Sequence, residues 1–142
     1  EYIIHLSPTV PLRDIEKINE AVKLIKSKRK ATSLRSVHYT DLIPQKIFTL
    51  EKGYLNGLFP HLKGEYYNKP RQLYKRTLIP NGHVDIIRTK YINKNNLHGK
   101  NILAFITKKV PDIDTIEDYR NAKETYKEKR FKKVIKNIQW KY

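Results

Sequence analysis

The stretch Tyr2–Ser27, YIIHLSPTVPLRDIEKINEAVKLIKS, decides the fold class. Its apolar opening, Tyr2–Leu6, predicts a short buried strand. The two prolines of Ser7–Arg13 predict a turn, because a residue that precedes a proline is pushed out of helical geometry. In Asp14–Ser27 apolar residues recur at helical spacing, with acids at the start and lysines at the end, as the helix dipole favours. The stretch therefore predicts a strand, a turn and a helix in succession.

Further strand patterns follow, and a second helix closes the chain. Predicted strands cover Ser33–Tyr39, His83–Arg88 and Ile102–Thr107. A C-terminal helix is predicted over 115–138, with Ile116, Tyr119, Ala122 and Tyr126 on one face and Phe131, Val134, Ile135 and Ile138 beyond them. Strands placed between helices at the two ends indicate an α/β sandwich.

The middle of the chain is less regular. Ile47–Leu50 and Tyr54–Phe59 are predicted to pair as a hairpin around Lys52-Gly53. Residues 60–80 show no clean period, which is typical of a functional excursion or a surface that packs on a partner. Asn81-Gly82 predicts a turn before the next strand.

Composition narrows the class of protein. A chain of 142 residues fits one domain with a real core, and its 30 Lys+Arg against 14 Asp+Glu give a net charge of +16. This charge indicates either polyanionic partners or a solvated, lysine-rich surface. The absence of cysteine excludes disulfides and thiolate metal sites and suits the cytoplasm. No apolar run is long enough to cross a membrane.

Two carboxylates, Asp112 and Asp114, stand just before the last helix. Alternate side chains of an extended segment point to the same side, so this spacing suits a hard cation such as Mg²⁺, which also uses phosphate oxygens. Asp114 could instead cap the helix, with Glu117 completing a capping box. Both this segment and Ser7–Arg13 follow a strand and precede a helix, which predicts that they are neighbours in space.

The lysine-rich C-terminus offers an alternative function. Aromatic residues lie among its lysines, at Tyr126, Phe131 and Trp140. This combination is compatible with stacking on a single strand, so the alternative is a basic nucleic-acid-binding module that uses the C-terminal helix.

Several short segments, taken in order, resemble the acylneuraminate cytidylyltransferases (CMP-N-acylneuraminate synthetases), which activate sialic acid and related nine-carbon sugar acids. The family's Leu-Gln-Pro-Thr-Ser-Pro-Leu-Arg corresponds to Leu6–Arg13. Its Asn-Gly-Ala-Ile-Tyr-Ile corresponds to Asn81–Ile86, and its Ser-Ile-Asp-Ile-Asp-Thr to Val110–Thr115. Shorter matches are Ser36-Val37, Pro44-Gln45-Lys46, Arg71-Gln72 and Glu117-Asp118. Together these segments extend over nearly the whole chain.

The resemblance implies a Rossmann-like three-layer sandwich of the nucleotide-diphospho-sugar transferase type. Residues 1–142 would form a single partial cytidylyltransferase domain, the later half of the fold, with a dimerisation arm at about 45–80. The implied reaction joins CTP to an acidic nine-carbon sugar and releases pyrophosphate, with Mg²⁺ as the cofactor. The implied setting is a cytoplasmic homodimer in polysaccharide biosynthesis, without membrane or nucleic-acid partners.

The resemblance also implies roles for individual residues. Asp112 and Asp114 match the metal-binding pair, and Asp112, Lys46 and Arg71 match catalytic positions. The implied substrate-binding residues are Ser7, Arg13, Gln72, Asn81 and Gly82.

Some positions depart from the family pattern. Ser7 replaces a glutamine that touches the sugar, which leaves a legionaminic-type acid open as the substrate. His83 and Asp85 replace Ala and Tyr, which changes the pocket. The family's N-terminal Pro-Ala-Arg-x-Gly-Ser-Lys loop, which grips the CTP triphosphate, is missing, and the sequence contains no methionine. We therefore expect the chain to be the later part of a longer protein and to be inactive by itself.

Overall fold

The computed structural model describes the backbone of residues 1–137 and the side chains of residues 1–128. The described chain has a mixed α/β fold. Its strands are β1 (Tyr2–His5), β2 (Ser33–Thr40), β3 (Phe48–Glu51), β4 (Tyr54–Gly57), β5 (Thr77–Arg88) and β6 (Ile102–Ile106). Its helices are α1 (Ile15–Ser27) and α2 (Ile116–Asn137). Neither helix, over its described residues, is long and apolar enough to cross a membrane.

The main sheet is mixed and has the strand order β1-β5-β2-β6. β1 pairs antiparallel with β5, whereas β2 and β6 run parallel, with Ser33 opposite Ile102. The core lies where α1 packs on this sheet. The buried residues that form it are Ala21, Ile25, Ala31, Leu34, Val84, Ile86 and Phe105. Because β2 and β6 are parallel, both strands begin at one end of the sheet and finish at the opposite end.

The contacts divide the chain into two compact units. One contains Glu1–His38 and the residues from Pro80 onward, and therefore the strands and helices that form the core. The other is Tyr39–Ile79, which holds the β3–β4 hairpin and three short 3₁₀ turns, Pro44–Lys46, Tyr66–Asn68 and Arg71–Leu73. Tyr66 is the buried aromatic residue of this second unit.

Local sequence signals predict several of these elements correctly. The α1 helix is confirmed, and the Asp14 carboxylate caps it by accepting from the backbone N–H of Glu16 at 2.9 Å. The strand at Ser33 and the hairpin around Lys52-Gly53 are also confirmed. Lys52 and Gly53 both have a positive φ, as a tight hairpin turn requires.

Two strand predictions are wrong. The strand predicted as buried, Tyr2–Leu6, ends at His5, and Ile3 and Ile4 are exposed because β1 is an edge strand paired only with β5. Asn81-Gly82 does not form a turn before a strand, since both residues lie inside β5. Gly82 adopts a φ of 64°, so the glycine provides a local irregularity within the strand.

The apolar face predicted for α2 is also wrong in part. Ala122 is buried, but Ile116, Tyr119 and Tyr126 are exposed. Periodicity correctly predicts the helix but not the depth of its burial. The predicted continuation of this face at Phe131, Val134, Ile135 and Ile138 lies outside the residues whose side chains are described, as does Trp140.

Candidate functional site

A cleft of about 550 Å³ opens in the first unit, where β6 ends and the chain runs toward α2. We call it the central cleft. Its lining residues are Leu12, Asp14, Lys17, His83, Thr107, Lys108, Lys109, Val110, Pro111 and Thr125. The volume lies within the range of small-molecule sites, and the lining combines apolar side chains with convergent charged ones. A hydrogen bond with Glu20 raises the pKa of Lys17, which keeps this ammonium group charged.

The turn over residues 7–13 is held in shape by its own hydrogen bonds. Val10 is fully buried, its N–H donates to the Ser7 carbonyl at 3.1 Å, and the Ser7 and Thr9 hydroxyls lie 2.8 Å apart. The Arg13 Nε donates to the His83 carbonyl at 3.1 Å, and its Nη2 donates to the Ser7 carbonyl. Burial lowers the pKa of Arg13. Arg13 therefore fastens this turn to β5.

Asn81 and Gly82 bring β5 against the same turn. The buried Asn81 donates from Nδ2 to the Thr107 hydroxyl at 2.7 Å, while its Oδ1 accepts from the His83 N–H. A Cβ on Gly82 would lie 3.1 Å from Val10 and 3.2 Å from Ser7. A larger residue at position 82 would therefore crowd the turn and would also be strained at its positive φ.

The segment with the two carboxylates lies beside this turn. The Ile113 N–H donates to the Thr9 carbonyl at 2.8 Å, which confirms the prediction that the two segments are neighbours. Asp112 and Asp114 are exposed, whereas Pro111 and Ile113 are partly buried. This alternation is the one expected of an extended segment whose alternate side chains share a side.

The helix cap lies one residue later than predicted. Thr115, not Asp114, is the capping residue: its hydroxyl accepts from the Asp118 N–H at 3.1 Å. The Asp118 carboxylate in turn accepts from the Thr115 N–H at 2.9 Å, which completes a capping box. The predicted capping box of Asp114 with Glu117 is therefore wrong, because the Thr115 hydroxyl, and not the Asp114 carboxylate, accepts from the Asp118 N–H of the first turn. The Asp114 side chain is not used as a cap.

The capping box also changes the acidity of Asp118. The hydrogen bond from Thr115 is the largest cause of a lowered Asp118 pKa. A lowered pKa stabilises the fold above the unfolded-state pKa, and this contribution is lost as pH falls through the folded-state pKa. We expect Thr115→Val to raise the Asp118 pKa toward 3.8 and to remove this acid-dependent part of the stability. NMR titration of the Asp118 carboxyl carbon, with thermal unfolding at several acidic pH values, measures both effects.

Thr125→Val is the matched control for this prediction. The Thr125 hydroxyl donates to the Asn121 carbonyl within α2 at 2.9 Å and has no contact with Asp118. The control should leave the Asp118 titration where it is in the parent protein. An unchanged Asp118 pKa in Thr115→Val would contradict the assignment.

The carboxylates of Asp112 and Asp114 suit a hard cation that takes some of its ligands from the protein and the others from a substrate. Within the part of the chain whose side chains are described, neither carboxylate forms a hydrogen bond or an ion pair. No group of three or more His, Asp or Glu residues in that part is arranged to hold a metal by itself. Two free carboxylates fit Mg²⁺, which commonly takes one or two of them and completes its shell with water and phosphate oxygens.

The chain matches no protein-family model and no curated protein. The site and the short segments that resemble the cytidylyltransferases are therefore the two indications of function.

The other predicted site residues lie in the second unit. The Lys46 ammonium donates to the Tyr67 carbonyl at 2.8 Å and lies 5.9 Å from the centre of the Tyr74 ring. Arg71 donates to the Asp41 carbonyl, and its Nη2 lies 3.7 Å from the Asp41 carboxylate. Gln72 is exposed in the 3₁₀ turn Arg71–Leu73. Lys46 and Arg71 therefore each have a backbone partner that fixes their position.

Sequence reasoning did not predict several residues that line the central cleft. From the sequence, His83 is identified only as a departure from the family pattern, although His83 is buried and lines the central cleft. Thr107–Lys109 directly follows β6, and a Lys-Lys pair just after a strand is a signal that could have indicated the lining.

Proposed function

We propose that this chain is the sugar- and metal-binding part of an acylneuraminate cytidylyltransferase. One observation carries the proposal. The hydrogen bond between Ile113 and Thr9, at 2.8 Å, joins two of the segments that resemble the family and places them beside the central cleft. The family resemblance requires these two segments to lie together, and the hydrogen bond meets that requirement.

The proposed reaction is a nucleotidyl transfer. The anomeric hydroxyl oxygen of the nine-carbon acid forms a bond to the α-phosphorus of CTP. The bond from that phosphorus to the bridging oxygen breaks, pyrophosphate leaves, and the hydroxyl proton passes to solvent. When bound, Mg²⁺ would neutralise negative charge that develops on the phosphates. Asp112 and Asp114 are the residues that would hold it.

The chain's own residues would bind and orient the acid. Two lysines that line the central cleft, Lys108 and Lys109, provide positive charge for a carboxylate and phosphates, whereas the Lys17 ammonium is paired with Glu20 at 2.8 Å. For Lys46 and Arg71 we propose the substrate- and phosphate-binding roles that the resemblance implies, since a guanidinium suits bidentate binding of a carboxylate. Arg13 and Asn81 hydrogen-bond to the protein itself, so we assign them to positioning the turn, with Ser7, Gly82 and Gln72 as proposed sugar contacts.

The finer architecture is part of the same proposal. We assign the mixed sheet and its helices to a Rossmann-like three-layer sandwich, with the second unit as a dimerisation arm. The exposed apolar side chains of the β3–β4 hairpin, Leu50, Tyr54 and Leu55, support an arm that packs on a second copy. The proposed homodimer would act in the cytoplasm, where CTP is available.

Turnover by the protein expressed from its complete reading frame tests the proposal. We expect CTP-dependent release of pyrophosphate with N-acetylneuraminic or legionaminic-type acids and with no neutral hexose. EDTA should stop it, and mass spectrometry should detect the CMP-sugar. The isolated 142-residue chain is expected to form none. A folded full-length protein that forms no CMP-sugar from any nine-carbon acid would refute the proposal.

A further inference from the structure

Two adjoining clefts lie at the end of the main sheet where the parallel strands β2 and β6 begin. Their volumes are about 470 Å³ and 350 Å³, and both are lined by Lys30, Lys100 and Asn101. Lys28 lines the first, and Tyr91 and Asn93 line the second. We call these six residues the basic trough. It belongs to the first unit but is separate from the central cleft, which lies where β6 ends.

The trough carries positive charge that the described residues do not neutralise. Sequence positions 21–40 and 86–111, which supply its lining, contain no Asp or Glu. None of the four ion pairs between described residues involves Lys28, Lys30 or Lys100. Three ammonium groups around one open trough attract a polyanion.

The end of α1 does not account for these lysines. Lysines near a helix C-terminus often donate hydrogen bonds to its free carbonyl groups. Here Arg88 makes these bonds: its Nη2 donates to the Ile25 carbonyl at 3.1 Å and to the Lys28 carbonyl at 3.3 Å. Its Nε donates to the Ala31 carbonyl at 2.8 Å. The ammonium groups of Lys28 and Lys30 are therefore left to face the trough.

The wall of the trough is fixed before any ligand binds. Thr32 and Asn101 are joined by two hydrogen bonds, from Thr32 N to Asn101 O at 2.9 Å and from Asn101 N to Thr32 Oγ1 at 3.1 Å. The Thr32 hydroxyl also donates to the His98 carbonyl at 2.6 Å. Gly99 has a φ of 73°, and a Cβ there would lie 2.7 Å from Thr32. This close packing holds Lys30 and Lys100 on a rigid base, which lowers the entropic cost of binding.

We propose that the basic trough binds single-stranded nucleic acid. Its lysines would contact successive phosphates. The Lys90 ammonium lies over the partly exposed Tyr91 ring, 4.9 Å from its centroid, so a base would stack on the part of the ring that Lys90 leaves open. The Asn93 and Asn101 amides add donors and acceptors without adding negative charge. Two adjoining clefts with no acidic lining residue and with one aromatic ring suit a strand better than they suit a lipid surface. The inference stands apart from the proposed sugar transfer, because it shares no residue with it.

Fluorescence anisotropy with a labelled twelve-residue oligouridylate tests this inference on the 142-residue chain. The test variant is Lys28→Gln/Lys30→Gln/Lys100→Gln. Its control is Lys52→Gln/Lys63→Gln/Lys69→Gln, which removes the same charge from exposed positions in the second unit. We expect at least about a tenfold loss of affinity in the test variant, and a fall of about 2 in the slope of log K against log salt. Tyr91→Ala should weaken binding roughly fivefold or more.

The remaining outcomes decide against the inference. Equal losses in the two triple variants would mean that only net charge matters. The basic trough would be a nucleotide site if it bound CMP saturably and showed no preference for a strand. It would be a lipid site if its lysines bound phosphatidylserine vesicles and the protein did not bind the oligonucleotide. A parent chain that does not bind the oligonucleotide at low salt would also overturn it.

Discussion

Asp112→Asn is expected to reduce CTP-dependent pyrophosphate release by about a thousandfold in the protein expressed from its complete reading frame. The substitution keeps the shape of the side chain but removes its charge, and Mg²⁺ prefers charged carboxylate oxygens. Because Asp112 is exposed and has no partner among the described side chains, its loss should leave the fold unchanged. The measurement is initial rate against Mg²⁺ concentration, with Mn²⁺ titration followed by electron paramagnetic resonance as a readout of binding.

Glu117→Gln provides the matched control. Glu117 is an exposed acid in the first turn of α2, and it takes no part in the capping box that Thr115 and Asp118 form. Its neutralisation should change the rate less than about twofold, in line with other surface substitutions. Loss of activity in both variants would indicate that general charge, not a metal site, is responsible. Full activity and full Mn²⁺ binding in Asp112→Asn would exclude Asp112 as a ligand.

Local signals explain which parts of the fold could be predicted from sequence. The α1 helix carries its own cap, its own dipole-matched charges and a clear apolar period, so few tertiary contacts are needed to specify it. The β3–β4 hairpin likewise has a turn glycine between two short strands. Each of these elements is decided by residues that are close in sequence.

The two strand failures depend on contacts between distant segments. Tyr2–His5 has a buried strand's composition, but its burial depends on its place at the edge of the sheet. Asn81-Gly82 has the residues of a turn, yet both residues lie inside β5, the strand that lies between β1 and β2 in the main sheet. The helix cap is a local failure: Asp114 and Thr115 are both good capping residues, and the backbone geometry at the start of α2 selects Thr115.

The candidate site was predicted in outline but not in detail. The proximity of the Ser7–Arg13 and Asp112/Asp114 segments follows from their positions between strands and helices, and it is confirmed. The lining of the central cleft by His83 and Thr107–Lys109 could not be predicted, because it depends on how β5 and β6 lie against the turn. The partners of Arg13 are backbone carbonyls, which a sequence pattern does not reveal.

Leu34→Ala is expected to lower the free energy of unfolding by about 3 kcal/mol. Leu34 is fully buried in β2 and belongs to the core that α1 forms with the main sheet. Truncation removes buried apolar surface and leaves a cavity, because the neighbouring side chains come from several elements and cannot all move inward. Urea unfolding followed by circular dichroism measures the change through the shift of the midpoint at a constant m-value.

Leu97→Ala separates the effect of burial from the effect of losing a leucine. Leu97 is 52% exposed in the connection before β6, so the same truncation should cost less than about 0.5 kcal/mol there. A cost of similar size at both positions would mean that α1 does not pack on the sheet as described. The central cleft would then lose its support, because Asp14 and Lys17 line it from the first turn of α1 and depend on that packing for their position.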